Sequence, residues 1–142
     1  MEYDFCAEWL NCLLKTLENG GDRIGNLFER CAVFHYEANQ MDTLLEPYIG
    51  DLQGFLGFLE KEWNWKICWS EEENVILADE NKEYCVCPVT GRISGEVSPI
   101  LCDCSAAFAR KMFSKVCGKE VRASVKRSFL RDGKSCIYQI RL

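Results

Sequence analysis

The sequence predicts an α+β domain, with N-terminal helices followed by an antiparallel sheet that has one helix inserted between its strands. Three observations carry this expectation. Apolar residues recur at helical spacing as far as Trp63, the period drops to two from Trp65 onward, and one further helical stretch at 105–117 interrupts the alternating segments. No linker, repeat or low-complexity tract divides the 142 residues. The chain therefore reads as one domain, 1–142, with a helical part at 1–63 and a β-β-β-α-β-β part at 64–142. A chain of this size buries roughly two thirds of the surface that its unfolded form exposes, so it needs no cross-link to fold.

From Glu2 to Glu18, Phe5, Trp9, Leu13 and Leu17 are joined by Cys6, Leu10 and Leu14 in one broad apolar face, and Gly20-Gly21 ends that helix. Asp22 is suited to cap a second helix that runs to about Asn39. Met41 to Leu45 forms a short turn of helix before Pro47. A clearer helix spans Asp51 to Trp63, because Leu52, Phe55, Leu56, Leu59 and Trp63 fall on one side.

Trp65, Ile67 and Trp69 then alternate with Lys66 and Cys68, Ser70 to Asn74 is a turn, and Val75 to Ala78 resumes the apolar run as a hairpin. A second turn at Asp79 to Lys82 leads to an expected third strand, Tyr84 to Cys87, stopped by Pro88, which has no N–H for a ladder. Thr90 to Pro99, with Gly91, Ser94, Gly95 and Ser98, reads as a loop. Asp103 or Ser105 would cap the helix at 105–117, which Gly118 terminates. Val121, Ala123 and Val125 alternate with Arg122, Ser124 and Lys126. After the turn signal Asp132-Gly133, Cys136, Tyr138, Ile140 and Leu142 complete a C-terminal hairpin.

The net charge of −5 hides an asymmetry. Residues 1–103 hold 7 Lys/Arg against 20 Asp/Glu, and residues 104–142 hold 10 against 2. The simpler consequence is that the basic part packs on the acidic part. The alternative is a docking face for an acidic partner, built from Arg110, Lys111, Lys115, Lys119, Arg122, Lys126 and Arg127. No stacking aromatics are interleaved with these charges, which argues against nucleic acid. The start Met1-Glu2-Tyr3-Asp4 lacks a basic leader region, and no apolar run approaches the about 20 residues that span a bilayer. A cytoplasmic protein without a membrane partner is the expectation, and its ten cysteines would then be thiols.

Those cysteines carry the chemistry. Cys85/Cys87 and Cys102/Cys104 form two Cys-x-Cys pairs, and in extended chain each pair would aim two sulfurs the same way. The 14 residues between the pairs suffice for a loop that folds back, so a four-thiolate zinc site is reachable, as is a purely structural role. Cys104, at a helix start near Arg110 and Lys111, would have a depressed pKa and could act as a nucleophile, with Cys87 as the other candidate. The single histidine, His35, stands four residues after Cys31 on one helical face, so the two could line a pocket. Trp63, Trp65 and Trp69 could wall it or simply fill the core. Cys6, Cys12, Cys68 and Cys117 lie in amphipathic elements as small buried hydrophobes.

Cys102-Asp103-Cys104-Ser105, the helix that follows, Gly118-Lys119-Glu120-Val121 and Ser128 through Ile140 together resemble the C-terminal half of the 4-vinyl reductase domain superfamily. The match covers residues 84–142, with Gly133-x-x-Cys136-x-Tyr138-x-Ile140 its most specific part. The Cys-x-Cys-Pro segment and helical N-terminus are similar to uncharacterised bacterial proteins related to L-2-amino-thiazoline-4-carboxylate hydrolase. The resemblance implies a pocket between sheet and helices for hydrophobic or aromatic effectors. It also implies a structural zinc ligated at the start of the penultimate helix, matched by Cys102 or Cys104, and at the final cysteine, matched by Cys136. The family's strand ligand is replaced by Ser128, leaving Cys85 or Cys87 to supply a third thiolate.

The expected function is a small-molecule-binding, sensor-like domain with a cysteine cluster that could hold zinc. The metal set would be Cys85, Cys87, Cys102, Cys104 and Cys136. The pocket set would be Cys31, His35, Trp65, Trp69, Phe108 and Tyr138. The alternatives are a thiol-dependent hydrolase of a small cyclic or sulfur-containing substrate and a protein-interaction module using the basic face. A small molecule is the expected partner, and a homodimer stays open.

Overall fold

A computed structural model describes residues 5, 6, 9, 10, 12, 13, 24–88, 90 and 101–142. Phe5, Cys6, Trp9, Leu10, Cys12 and Leu13 are helical, and the rest of the expected Glu2–Glu18 helix, Gly20-Gly21, the cap Asp22 and the loop beyond Thr90 lie outside the described residues. Helix α1 spans Ile24–Ala38 and α2 spans Met41–Leu45, which runs into a 3₁₀ turn at Glu46–Tyr48. Helix α3 spans Leu52–Glu62. Its N-cap is Asp51, whose carboxylate accepts from the Gly54 amide at 3.0 Å. A Cβ on Gly54 would sit 2.2 Å from Asp51 Oδ2, so a side chain there would make the Asp51 carboxylate shift.

Strands β1 (Lys66–Ser70) and β2 (Val75–Asp79) form the expected hairpin, with Lys66 opposite Asp79 and Ser70 opposite Val75. Helix α4 spans Cys102–Cys117 and ends at Gly118, whose φ of 67° is the left-handed conformation that glycine adopts without strain. Strand β3 (Arg122–Arg127), a one-turn helix α5 (Phe129–Asp132) and strand β4 (Ile137–Arg141) complete the chain. The sheet is antiparallel with order β1-β2-β4-β3, so β4 inserts between the first hairpin and β3. The α+β class is as the sequence predicts.

Period-two alternation aims Ile76 and Ala78 of β2 and Tyr138 and Ile140 of β4 at the helices, where Phe55, Leu59, Met112, Phe113 and Val116 meet them. Phe55 and Phe113 touch edge-to-face at 5.2 Å. The opposite face carries Cys68, which is exposed rather than buried, because its register position points away from the helices. Basic residues of α4 turn to acidic neighbours. Arg110 pairs with Glu29 and, at 3.0 Å, with Glu120, Lys115 lies 3.7 Å from Asp42, and Lys111 sits over the Tyr36 ring at 4.9 Å. Such half-exposed pairs contribute at most about 1 kcal/mol each, so they orient α4 more than they hold it. Among the described residues no helix is long and apolar enough to cross a membrane.

Three local expectations are corrected. Tyr84–Cys87 is not a strand. Both sides of β2 are occupied, by β1 and β4, so the segment that follows has no place beside β2, and pairing stops where the Glu80 amide reaches the Cys136 carbonyl at 2.9 Å. Second, Asp132-Gly133 does not close a two-residue hairpin. Ser128 caps α5 by accepting from the Arg131 amide at 3.1 Å, Asp132 accepts from the Ser128 amide at 3.1 Å, and Gly133 at φ 66° ends the turn. Third, α4 starts at Cys102, so neither Asp103 nor Ser105 is its cap.

Candidate ligand cavity

The early start of α4 changes the geometry of the second Cys-x-Cys pair. Two residues apart on a helix are about 200° apart around its axis, where in a strand they would share a side. Cys102 and Cys104 accordingly leave α4 on different sides. Cys104 packs with Cys31 and Trp9 in a small secondary core that Cys12 and Cys87 flank. Cys102 interacts instead with Ser128.

Between the inner sheet face and the helices lies a cavity of about 180 Å³. Helix α1 contributes His35, the chain after α3 contributes Trp63 and Trp65, and the end of β2 contributes Glu80. Segment 85–88 closes one side. Ser105, Phe108, Ala109 and Met112 come from α4, and Tyr138 rises from β4. Of the expected pocket residues, His35, Trp65, Phe108 and Tyr138 line this space, as do the expected metal candidates Cys85, Cys87, Cys102 and Cys136. Cys31, Cys104 and Trp69 do not. Cys31 and Cys104 are sealed behind α1 and α4 in the secondary core, and Trp69 packs on the main core one strand away.

Aromatic rings form one part of a mostly apolar wall. His35 lies 4.5 Å from Phe108, Trp63 is 5.5 Å from Trp65, and Trp65 is 6.2 Å from Tyr138. Burial holds the His35 pKa down at about 4, so its imidazole is neutral. Glu80 is 8% exposed, and its Oε1 accepts from the Tyr138 hydroxyl at 2.7 Å. Removal from water pushes the Glu80 pKa up and is only partly offset by the Tyr138 hydrogen bond.

Sequence reasoning missed Glu80, Ser105, Met112 and Ser128 as wall residues, while Trp63, one of three tryptophans it offered, lines the cavity. For Glu80 a signal existed, because Ile76, Ala78 and Glu80 continue one period-two series toward the core. Ser128, fully buried, is fixed by its cap to Arg131.

Of the two candidate nucleophiles, Cys87 lines the cavity and Cys104 does not. Among the described residues no three His, Cys, Asp or Glu side chains are grouped to hold a metal ion. Along the cavity wall, burial raises the Cys102 pKa and pushes that of Cys136 up to about 12. The depressed pKa expected for Cys104 is also corrected. Its proton is shared toward Cys31 and it is 1% exposed, so its pKa is raised, while Cys31, which receives that hydrogen bond, is lowered. A nucleophile sealed from the cavity has no access to substrate.

No family model, no curated protein and no solved structure matches this chain. Its function must be argued from the cavity.

Proposed function

We propose that this chain is a small-molecule-binding, sensor-like domain of the cytoplasm whose ligand occupies the cavity between α1, α4 and the sheet. The observation that carries the reading is the mostly apolar, partly aromatic wall with a few inward polar groups, Glu80, Tyr138, His35 and Ser105 among them. Such a composition is typical of sites that gain affinity from apolar burial and orientation from sparse hydrogen bonds. At about 180 Å³ the space suits a ligand of one or two rings, since an engineered apolar cavity of about 150 Å³ admits benzene. The resemblance of residues 84–142 to the 4-vinyl reductase domain superfamily supports the same placement.

The test is direct. Toluene and indole are titrated into the protein while tryptophan emission is followed, because Trp63 and Trp65 stand in the wall. Saturable changes at millimolar concentration or below are expected, and they should vanish in Met112→Trp, which fills the space. Unchanged emission with both probes, or equal responses from wild type and Met112→Trp, would overturn the reading.

A further inference from the structure

The cavity is asymmetric in charge, and this observation deepens the ligand-binding reading on which it rests. Glu80 is the one carboxylate in its described wall, and that wall holds no Lys or Arg side chain. Tyr138 occupies Oε1 of Glu80 at 2.7 Å, and among the described residues no donor is within hydrogen-bonding distance of Oε2. The nearest cation to influence Glu80 is Lys82, whose ammonium instead donates to the Trp63 carbonyl at 3.2 Å and stays off the wall. His35 is neutral and offers no counter-charge. The rings of Trp65, Tyr138 and Phe108 border the same space.

We propose that the cavity selects a small organic cation carrying one aromatic ring, of the size of benzylammonium, with an N–H on Glu80 Oε2 and the ring among Trp65, Phe108 and Tyr138. An ammonium group leaving water needs both a charged acceptor and further stabilisation. Glu80 supplies the first and the ring faces supply the second. A carboxylate ligand of equal size would set two negative charges against each other in a wall whose described residues include no Lys or Arg. A neutral ring gains only apolar burial. Removal from water raises the Glu80 pKa against the opposing pull of the Tyr138 hydrogen bond and the Lys82 charge, so an ammonium ligand would stabilise its ionised form.

Isothermal titration of the full chain at neutral pH with benzylamine, toluene and benzoate separates these cases. Benzylamine should bind about tenfold or more tighter than toluene, the scale of a hydrogen bond to a charged group, and benzoate should bind weakest. Glu80→Gln keeps an acceptor for the Tyr138 hydroxyl and should erase the preference for the amine while toluene binding persists. Benzoate binding as tightly as benzylamine, or an amine preference that survives Glu80→Gln, would overturn the charge selectivity but leave the ligand-binding reading standing. Failure of all three probes to bind would remove that reading itself. Should Glu80→Gln not fold, the ranking of the three probes on the unaltered chain decides alone.

Discussion

Lowering the pH from about 7.5 to about 4 spans the range over which an ordinary imidazole gains its proton. His35 is the single histidine, so its response is not mixed with any other. Its ring stands 4.9 Å from Trp9, 4.5 Å from Phe108 and 5.4 Å from Phe5, and burial lowers its pKa from 6.5 to about 4. The sign follows from linkage. The unfolded chain takes up the proton first, so the contribution of neutral His35 to stability is complete above pH 6.5 and is lost as the pH falls toward 4. At 1.36 kcal/mol per pH unit the loss amounts to about 3 kcal/mol, a large part of the about 5–15 kcal/mol that holds a typical domain. Urea unfolding followed by tryptophan emission, at pH steps across this interval, measures it. His35→Leu serves as the reference, because carboxylates that titrate near the lower end change both proteins alike. The wild type should lose about 3 kcal/mol more than His35→Leu between pH 7.5 and 4, and the imidazole resonances should not titrate until well below pH 6. Parallel pH profiles for the two proteins, or an imidazole titrating near 6.5, would refute the assignment of His35 as a buried neutral ring.

Four further outcomes are expected. Tyr138→Phe leaves Glu80 Oε1 without its donor and should cost about 1–3 kcal/mol, more at neutral than at acidic pH, where a protonated carboxyl is less demanding; an unmoved urea midpoint would contradict this. Ser128→Ala removes the α5 cap and should cost about 1 kcal/mol, measured as a lower melting temperature. Phe113→Ala, at a fully buried site against Phe55, should cost about 3–5 kcal/mol by urea titration. Cys104→Ala deletes the thiol whose hydrogen bond favours ionised Cys31, so the pH at which thiolate absorbance near 240 nm appears should rise; a constant midpoint would speak against the Cys31–Cys104 bond.

Where local chemistry decides, the sequence was an adequate guide. Asp51 and Gly118 bound their helices as expected, and the alternation of Trp65, Ile67 and Trp69, then of Tyr138 and Ile140, identified the core face of the sheet. Those same patterns brought His35, Trp65, Phe108 and Tyr138 to one cavity. What misled was the assumption that a Cys-x-Cys pair lies in extended chain. Once the helix begins at Cys102, the second pair is divided between two neighbourhoods, with Cys102 at the cavity beside Cys85, Cys87 and Cys136 and Cys104 in the secondary core. Cys85 and Cys87 failed as a strand for a topological reason, because β4 comes back from 58 residues later, Asp79 to Ile137, to take the edge they would have used. No short-range pattern contains that competition. Glu80 was hidden by its turn-like neighbours, although the register of β2 carries it inward.

The placement of β4 has a kinetic corollary. Its ladder with β2 is one of two that only residues 137–141 can form, and neither β1–β2 nor β3 has another sheet partner among the described strands. During vectorial synthesis the first hairpin and α4 can emerge and wait, but their shared floor is missing until the final strand slides into the gap. A product that contains the hairpin but stops short of residue 137 thus leaves β2 open as well as the outer side of β1, a template for pairing with other chains. Cells making this protein would meet that hazard at every prematurely ended translation, whatever the ligand turns out to be.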